Sequence, residues 1–199
     1  MDEHLILASS SPTRRRLLVD AGIEVRVEPA QVDEGTIKDR FKAARGSPAD
    51  CALALADAKA RRIAANRCQA LVIGADQILV CDDEWFDKPL GIADARAQLL
   101  ALRGRTHELL TAACVVQQQV VMWQTVTSVR LAMRNFSDAF LDAYLGAEGS
   151  AILGSVGSYR LEGRGIQLFA RIEGDYFAIL GLPLLELLGF LRDRRALPS

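Results

Sequence analysis

Short apolar runs alternate with longer amphipathic segments along the chain. The first run, residues 5–8, is followed by Ser9-Ser10-Ser11-Pro12 and then by leucines set among basic residues as far as Gly22. Serine suits a helix N-cap, proline suits the first helical position, and glycine suits the left-handed residue after a helix. This segment therefore predicts a strand, a turn and a helix.

The next segments follow the same rules. Residues 24–27 have the pattern of a second strand, and Ser47-Pro48 repeats the helix start ahead of an alanine-rich segment that reaches about Asn66. Residues 71–74 form an apolar run typical of a buried strand, and the apolar residues 78–80 continue it. We therefore expect a strand, a long helix and a further strand.

A long hairpin is predicted in the middle of the chain. After a helical pattern at residues 93–102, residues 108–133 are rich in Val, Thr and Leu, and Gln117-Gln118-Gln119 interrupts them midway. This pattern predicts two long antiparallel strands joined by a turn. Ser137 then suits the N-cap of a helix that runs through Tyr144.

The last third of the chain returns to strand patterns at residues 166–172 and 176–180, and a helix follows Pro183. Helices and strands that alternate around a long hairpin predict an α/β fold with a mixed central sheet and long antiparallel strands. The length of 199 residues fits one compact unit, so we interpret residues 1–199 as a single domain.

The charge balance excludes several classes of partner. With 24 basic and 25 acidic residues the formal net charge is −1, so no general field attracts nucleic acid or an anionic membrane. The apolar residues 178–191 are interrupted by Pro183 and Glu186 and are too few to span a bilayer. We expect no nucleic-acid or membrane partner, and any phosphate binding must be local.

The cysteines and histidines exclude further chemistry. The four cysteines form no CxxC pair, and His4 and His107 are the only histidines, so zinc sites and histidine triads are not expected. The opening residues 1–4 are acidic and unlike a secretory signal, which favours a cytoplasmic protein. Catalysis should rest on carboxylates, lysine or a metal ion.

The first group of candidate residues lies at the predicted junction between strand and helix, residues 8–16. Two or three hydroxyl groups and several guanidinium groups would there meet the free N–H groups and the positive dipole end of a helix, which suits a polyphosphate. The alternative is an ordinary capped helix whose arginines face solvent.

A second group centres on Asp76, at the end of an apolar strand, with Lys88 some residues later. A carboxylate in this position can hold Mg²⁺ or orient a water molecule, and a lysine can neutralise a leaving phosphate. The alternative is a polar turn, which fits Asp82 and Asp83 better than Asp76. Glu34, ahead of an irregular stretch, and Lys59, in the alanine-rich helix, are by themselves typical of surface residues.

Taken together, these residues resemble the Maf family in order and spacing. The matching blocks are Leu5-Ile6-Leu7-Ala8-Ser9-Ser10-Ser11-Pro12-Thr13-Arg14-Arg15, Val32-Asp33-Glu34, Ala58-Lys59-Ala60, Ile73-Gly74-Ala75-Asp76-Gln77, Lys88-Pro89, Gly104-Arg105-Thr106-His107, Gly157-Ser158-Tyr159, Glu162-Gly163-Arg164-Gly165, Glu173-Gly174-Asp175-Tyr176 and Gly181-Leu182-Pro183-Leu184.

The resemblance implies a nucleoside-triphosphate pyrophosphatase that releases pyrophosphate and a nucleoside monophosphate with Mg²⁺ or Mn²⁺. It also implies two lobes around a cleft, similar to the inosine-triphosphate pyrophosphatases. It implies that Ser9, Ser11 and Arg14 bind the phosphates. Glu34 and Asp76 would bind the metal ion and the attacking water, with Asp76 as the general base. Lys59 and Lys88 would stabilise the charge of the triphosphate.

Three positions bear on which nucleobase the protein recognises. Thr13 stands where arginine is common in the family, and Gln77 and Glu162 complete a combination that resembles the 7-methyl-GTP branch. A carboxylate such as Glu162 can accept the two adjacent N–H donors of guanine, and the charge of the methylated base favours an anion. The dTTP and UTP branch is the alternative substrate assignment. A separate alternative is that Glu162 is an exposed turn residue beside Gly163. Departures at Asp87 and Val156 are expected to alter packing only.

A regulator of septum formation that binds nucleotides without turnover is a rival hypothesis. The presence of both Asp76 and Lys88 favours turnover, because a protein that only binds needs no carboxylate to activate water. A homodimer stays open as an alternative to a monomer.

Overall fold

The computed structural model describes residues 4–197, so the acidic opening at residues 1–3 lies outside the described residues. The strands are β1 Leu5–Leu7, β2 Arg26–Val27, β3 Leu71–Cys81, β4 Glu84–Phe86, β5 Thr106–Gln117, β6 Val120–Met133 and β7 Phe169–Glu173. The helices are α1 Pro12–Asp20, α2 Glu34–Ala43, α3 Pro48–Ala64, α4 Ile92–Leu102, α5 Asp138–Glu148, α6 Tyr176–Ile179 and α7 Leu184–Asp193. Three short 3₁₀ helices span Gly149–Gly154, Val156–Ser158 and Arg164–Leu168.

The strands form a mixed sheet in the order β2-β1-β3-β5-β6-β7, with β4 paired to β3. The pairs of β1 with β2 and with β3 are parallel, whereas β4 pairs with β3 and β7 with β6 in antiparallel fashion. This arrangement confirms the predicted α/β class and its mixed sheet. The long hairpin is also confirmed: β5 and β6 are joined at Gln118 and Gln119, which both have the positive φ that a two-residue type I′ turn needs.

Three of the predicted segments are wrong or incomplete. Residues 176–180, predicted as a strand, form the helix α6, because the side chain of Asp175 accepts the N–H of Ala178 and caps a helical turn. Residues 166–168 belong to a 3₁₀ helix, so β7 begins only at Phe169. Glu34 does not precede an irregular stretch: it is the first residue of α2, whose N-cap is Asp33.

The described chain divides into two compact units. The first contains the described residues up to Gln77, Thr111–Thr127 and the described residues from Asp175 onward, and the second contains Ile78–Leu110 and Ser128–Gly174. The interpretation of residues 1–199 as one domain stays a prediction. Of the helices within residues 4–197, none has the length and apolarity needed to cross a bilayer.

The core of the first unit lies on one face of its strands. Because side chains alternate along a strand, Leu71 and Ile73 of β3 share a face and pack with Leu18 of α1 and Leu187 of α7. Gly74 and Asp76 belong to the opposite face, where α3 lies. The face that carries Asp76 is thereby separated from the main apolar core.

The second unit buries a histidine among aromatic rings. His107 is 2% exposed, its Nε2 lies 3.0 Å from the hydroxyl of Tyr159, and its ring centroid is 6.0 Å from that of Phe169. Its Nδ1 is buried and has no hydrogen-bond partner within residues 4–197. Burial lowers the pKa of His107 from 6.5 to about 4.

Candidate active site

The site begins with a close contact between α3 and β3. A Cβ atom at Gly74 would lie 2.1 Å from the carbonyl oxygen of Ala56 and 2.9 Å from the Cβ of Ala60. Only glycine permits this approach, and the two alanines keep the facing side of the helix flat. The contact brings Lys59, on the same helix, to Asp76 on the strand.

Lys59 joins two carboxylates. Its Nζ contacts Oδ1 of Asp76 and lies 2.7 Å from Oε1 of Glu34. The side chains of Lys59 and Asp76 are each 9% exposed, whereas that of Glu34 is 45% exposed. In this cluster Asp76 is therefore shielded from solvent, whereas Glu34 is accessible to it.

Glu34 reaches this cluster from the first turn of α2. Asp33 caps the helix: its Oδ1 accepts the Thr36 N–H at 3.0 Å, and its Oδ2 accepts the Thr36 hydroxyl at 2.8 Å. These bonds stabilise the carboxylate form and lower the pKa of Asp33. The cap fixes where the helix begins and hence where Glu34 lies.

The junction between β1 and α1 has the predicted form. Ser11 is the N-cap of α1, and its Oγ accepts the N–H of Arg14 at 3.3 Å. The Oγ of Ser9, which is buried, accepts the N–H of Ser11 and the Nη1 of Arg14, both at 3.2 Å. Ser9 and Ser11 therefore stand at the positive end of a helix, as a phosphate site requires.

Arg14 is buried rather than solvent-facing, which rejects the interpretation of its side chain as part of an exposed basic face. Its Nε donates to the carbonyl of Gly181 at 2.7 Å and its Nη1 to the carbonyl of Ala75 at 2.9 Å. Burial lowers the pKa of Arg14, and the negative charges of Asp76 and Glu34 oppose that shift. The guanidinium thus belongs to the same electrostatic centre as the carboxylates.

Gln77 follows Asp76 and uses its amide nitrogen within the protein. Nε2 donates to the carbonyls of Ala178 at 2.9 Å and Ile179 at 3.1 Å, and to the hydroxyl of Thr111 at 3.0 Å. The Thr111 hydroxyl in turn donates to the carbonyl of Ala178 at 2.8 Å. The predicted contact of Gln77 with substrate stays a prediction.

Glu162, in the second unit, is held in an ion-pair network. Its Oε1 lies 3.5 Å from Nε of Arg160, whose Nη1 lies 3.5 Å from Oε2 of Glu148. The side chain of Glu162 is 13% exposed, so it is not the exposed turn residue of the alternative interpretation. Lys88, also in the second unit, is exposed in the segment between β4 and α4.

The structure brings together the first-unit residues singled out from the sequence, namely Ser9, Ser11, Arg14, Glu34, Lys59, Asp76 and Gln77. Sequence reasoning missed Thr111 and Gly181, which contact Gln77 and Arg14 from distant parts of the chain. A signal for Gly181 was present, since it opens a block that resembles the family. Thr111 carried no signal, because a threonine within a strand is common.

The two carboxylates suit a divalent ion. Lys59 Nζ contacts both of them, so the carboxylates of Glu34 and Asp76 lie close to each other. Mg²⁺ is commonly bound by one or two carboxylates and completes its ligands with substrate phosphates and water. Within residues 4–197, no group of three or more His, Cys, Asp or Glu side chains is placed to hold a metal ion. The donors present fit a site that the substrate completes.

Comparison with known sequences decides the family. The family described as Maf-like protein matches residues 4–194. The chain belongs to the Maf family. The Maf resemblance drawn from the sequence blocks is thereby confirmed.

Similar sequences cover almost the whole chain. A nucleoside triphosphate pyrophosphatase of Granulibacter bethesdensis is 53% identical over 97% of this chain and 98% of its own length. A 7-methyl-GTP pyrophosphatase of Mesorhizobium japonicum is 47% identical over 99% of each chain. A solved structure titled as a nucleoside-triphosphatase and dITP/XTP pyrophosphatase, from Mycobacterium abscessus, has a TM-score of 0.44 and 14% identity over 97% of this chain and 95% of its own. So distant a likeness adds nothing to the family assignment.

Proposed function

We propose that this protein hydrolyses a nucleoside triphosphate between its α- and β-phosphates, releasing a nucleoside monophosphate and pyrophosphate. The observation that carries the proposal is the cluster in which Lys59 joins Asp76 and Glu34 beside the buried Arg14. Nucleoside triphosphate pyrophosphatase is also the name of a relative that is 53% identical.

Phosphate binding is assigned to the start of α1. Pro12 has no N–H, and the Arg14 N–H is bound by Ser11. The Thr13 N–H of the first helical turn and the Arg14 guanidinium are therefore the proposed donors to phosphate oxygens. The Oγ of Ser9 already accepts two hydrogen bonds, so its remaining capacity is to donate its own proton, and a phosphate is a suitable acceptor.

Water activation is assigned to Asp76. Lys59 contacts Oδ1, and the hydrogen bonds among residues 4–197 leave Oδ2 to take a proton from the attacking water. Glu34 and Asp76 would hold the Mg²⁺ or Mn²⁺, which when bound supplies charge neutralisation to the phosphates and lowers the pKa of water. In-line attack then depends mostly on positioning, with Lys59 fixing the two carboxylates and Lys88 neutralising the leaving pyrophosphate.

We further propose 7-methyl-GTP as the preferred substrate, with Glu162 accepting the two adjacent N–H donors of the base. The low exposure of Glu162 and its network with Arg160 suit a fixed carboxylate better than a mobile one. Relatives named 7-methyl-GTP pyrophosphatase at 46–47% identity support this choice. The alternative is a dTTP or UTP pyrophosphatase of the same family.

We also propose that the protein is cytoplasmic. Cys68, Cys81 and Cys114 are free thiols, and the reducing cytoplasm keeps cysteines in this state.

The deciding experiment measures pyrophosphate release from 7-methyl-GTP, GTP, UTP and dTTP, each with Mg²⁺ and with Mn²⁺. We expect the highest kcat/KM for 7-methyl-GTP and no release after chelation of the metal. A preference for UTP or dTTP would overturn the substrate proposal alone. No release from any of the four would reject the pyrophosphatase proposal.

A further inference from the structure

Backbone carbonyl groups at the end of α6 accept hydrogen bonds from three side chains of distant elements. Arg14 donates to Gly181, Gln77 donates to Ala178 and Ile179, and Thr111 donates to Ala178, all within 3.1 Å. The helix itself is only one turn long and is capped by Asp175. The Asp175 cap at its start and the three side-chain donors at its end therefore fix the position of this helix.

Gly181 lies where two of these side chains approach each other. Its φ of +108° is one that side-chain-bearing residues rarely adopt. A Cβ atom there would lie 3.0 Å from Nε of Arg14 and 3.2 Å from Oε1 of Gln77. Both the carbonyl of Gly181 and its lack of a side chain thus determine where the Arg14 guanidinium lies.

The bonds made by Arg14 leave little rotational freedom. Nε is held by Gly181, and Nη1 by Ala75 and Ser9, so the plane of the guanidinium is fixed and with it the directions of the two remaining N–H groups, on Nη2. A shift of Nε would turn those donors away from a bound phosphate, although the charge would stay in place.

We propose that Gly181 is a positioning residue for catalysis, which holds Arg14 in its phosphate-binding orientation, and that Thr111 and Gln77 hold the helix end that carries Gly181. The proposal rests on the proposed function in so far as Arg14 binds phosphate. It also gives Gln77 an indirect role: the N–H groups of its amide are shared among three protein acceptors, so it acts on substrate through α6.

The principal test is a double-mutant cycle of Gly181→Ala with Arg14→Ala, read as kcat/KM for pyrophosphate release. We expect Gly181→Ala to lower kcat/KM by about 10–100-fold in the native background, since a misplacement of about 1 Å can cost that much. In the Arg14→Ala background the further loss should be less than about twofold, because coupled residues are not additive. Equal losses in the two backgrounds would show that Gly181 acts independently of Arg14.

The matched control is Gly189→Ala in α7, where an added Cβ would meet nothing within 4 Å. It should retain the native kcat/KM.

If Gly181→Ala does not fold, Thr111→Val replaces it in the double-mutant cycle. Thr111→Ser should then restore the hydroxyl group and hence the activity. Native kcat/KM in the valine variant would then overturn the proposal.

Calorimetric binding of inorganic pyrophosphate with Mg²⁺ separates this inference from the proposed function. We expect Gly181→Ala to weaken pyrophosphate binding in the native background and to change it by less than about twofold in the Arg14→Ala background. Coupling in this assay supports the inference even if no triphosphate is hydrolysed. Pyrophosphate binding that is unchanged by both single substitutions would contradict it.

Discussion

The carboxylate of Asp76 is nearly buried and has one oxygen held by Lys59. Asp76→Asn keeps the shape of the side chain and removes its capacity to take a proton. We expect kcat to fall by roughly 10²–10⁴-fold, the usual contribution of a general base. Pyrophosphate release measures kcat, and an unchanged circular dichroism spectrum shows that the fold persists. A near-normal kcat would place the base elsewhere.

Recognition of the nucleobase can be tested at Glu162. Glu162→Gln replaces one acceptor oxygen by a donor, so one of the two proposed bonds to guanine is lost. We expect the preference for 7-methyl-GTP over UTP to weaken by roughly 1.5–3 kcal/mol, the cost of a charge-assisted hydrogen bond. The ratio of the two kcat/KM values measures it.

Asp82→Asn is a matched control for Glu162→Gln, since Asp82 lies at an exposed turn and pairs with Arg105. It should leave the substrate ratio unchanged. The same change of ratio in both variants would show that overall charge, and not a contact of Glu162, sets the preference.

At the residue scale, the sequence predicts those site residues that have a local pattern. Ser11-Pro12 indicates a helix start, and Asp76 is a charge within an apolar strand, so both stand out without a structure. Glu34 and Lys59 stand out only through the family resemblance, because nothing nearby in the sequence distinguishes them from surface residues. Thr111 could not be predicted, since its partners lie 34 and 67 positions away.

At the scale of elements, the contact between α3 and β3 depends on Gly74. Gly74→Ala would place a methyl group 2.1 Å from a backbone oxygen, which cannot be relieved by a side-chain rotation. We expect a loss of about 1–3 kcal/mol or more in the free energy of unfolding, as for other overpacked positions. Urea denaturation measures it.

Gly146→Ala in α5 is the comparison for Gly74→Ala, because an added Cβ there would meet nothing within 4 Å. It should leave the free energy of unfolding unchanged or raise it, since alanine favours helix. Equal stability of the two variants would show that the helix moves away from the strand at no cost.

The sequence predicts the helices that have a local start signal, as the Ser-Pro beginnings of α1 and α3 show. The error at α6 has a physical cause. Residues 176–180 are apolar and aromatic, as in a strand, whereas the capping by Asp175 and the bonds from Gln77 and Thr111 depend on the folded structure. Tertiary contacts override local preference there.

At the scale of the whole molecule, His107 links stability to pH. Its pKa is about 4 in the folded protein and about 6.5 when unfolded, so below pH 6.5 the unfolded state binds more protons. Stability is therefore complete above pH 6.5 and declines as the pH falls towards 4. We expect a loss of about 3 kcal/mol over this range, from about 1.4 kcal/mol per pKa unit.

Thermal unfolding at a series of pH values tests this expectation, with His107→Gln as the variant that keeps a hydrogen-bonding group near Tyr159 and does not titrate. The difference in stability between the native protein and this variant should shift in favour of the variant by about 3 kcal/mol between pH 6.5 and pH 4. A difference that stays constant with pH would exclude His107 as the source.

The bond from Arg14 to Gly181 spans 167 positions of the chain. A ribosome makes Arg14 well before Gly181, so the growing polypeptide carries this arginine without its acceptor until the later segment has been synthesised. The Arg14 side chain can therefore take its bound orientation only once the segment that contains Gly181 has left the exit tunnel. Premature termination before residue 181 should therefore yield a product without this anchor, which on the proposed role of Arg14 would bind nucleotides more weakly.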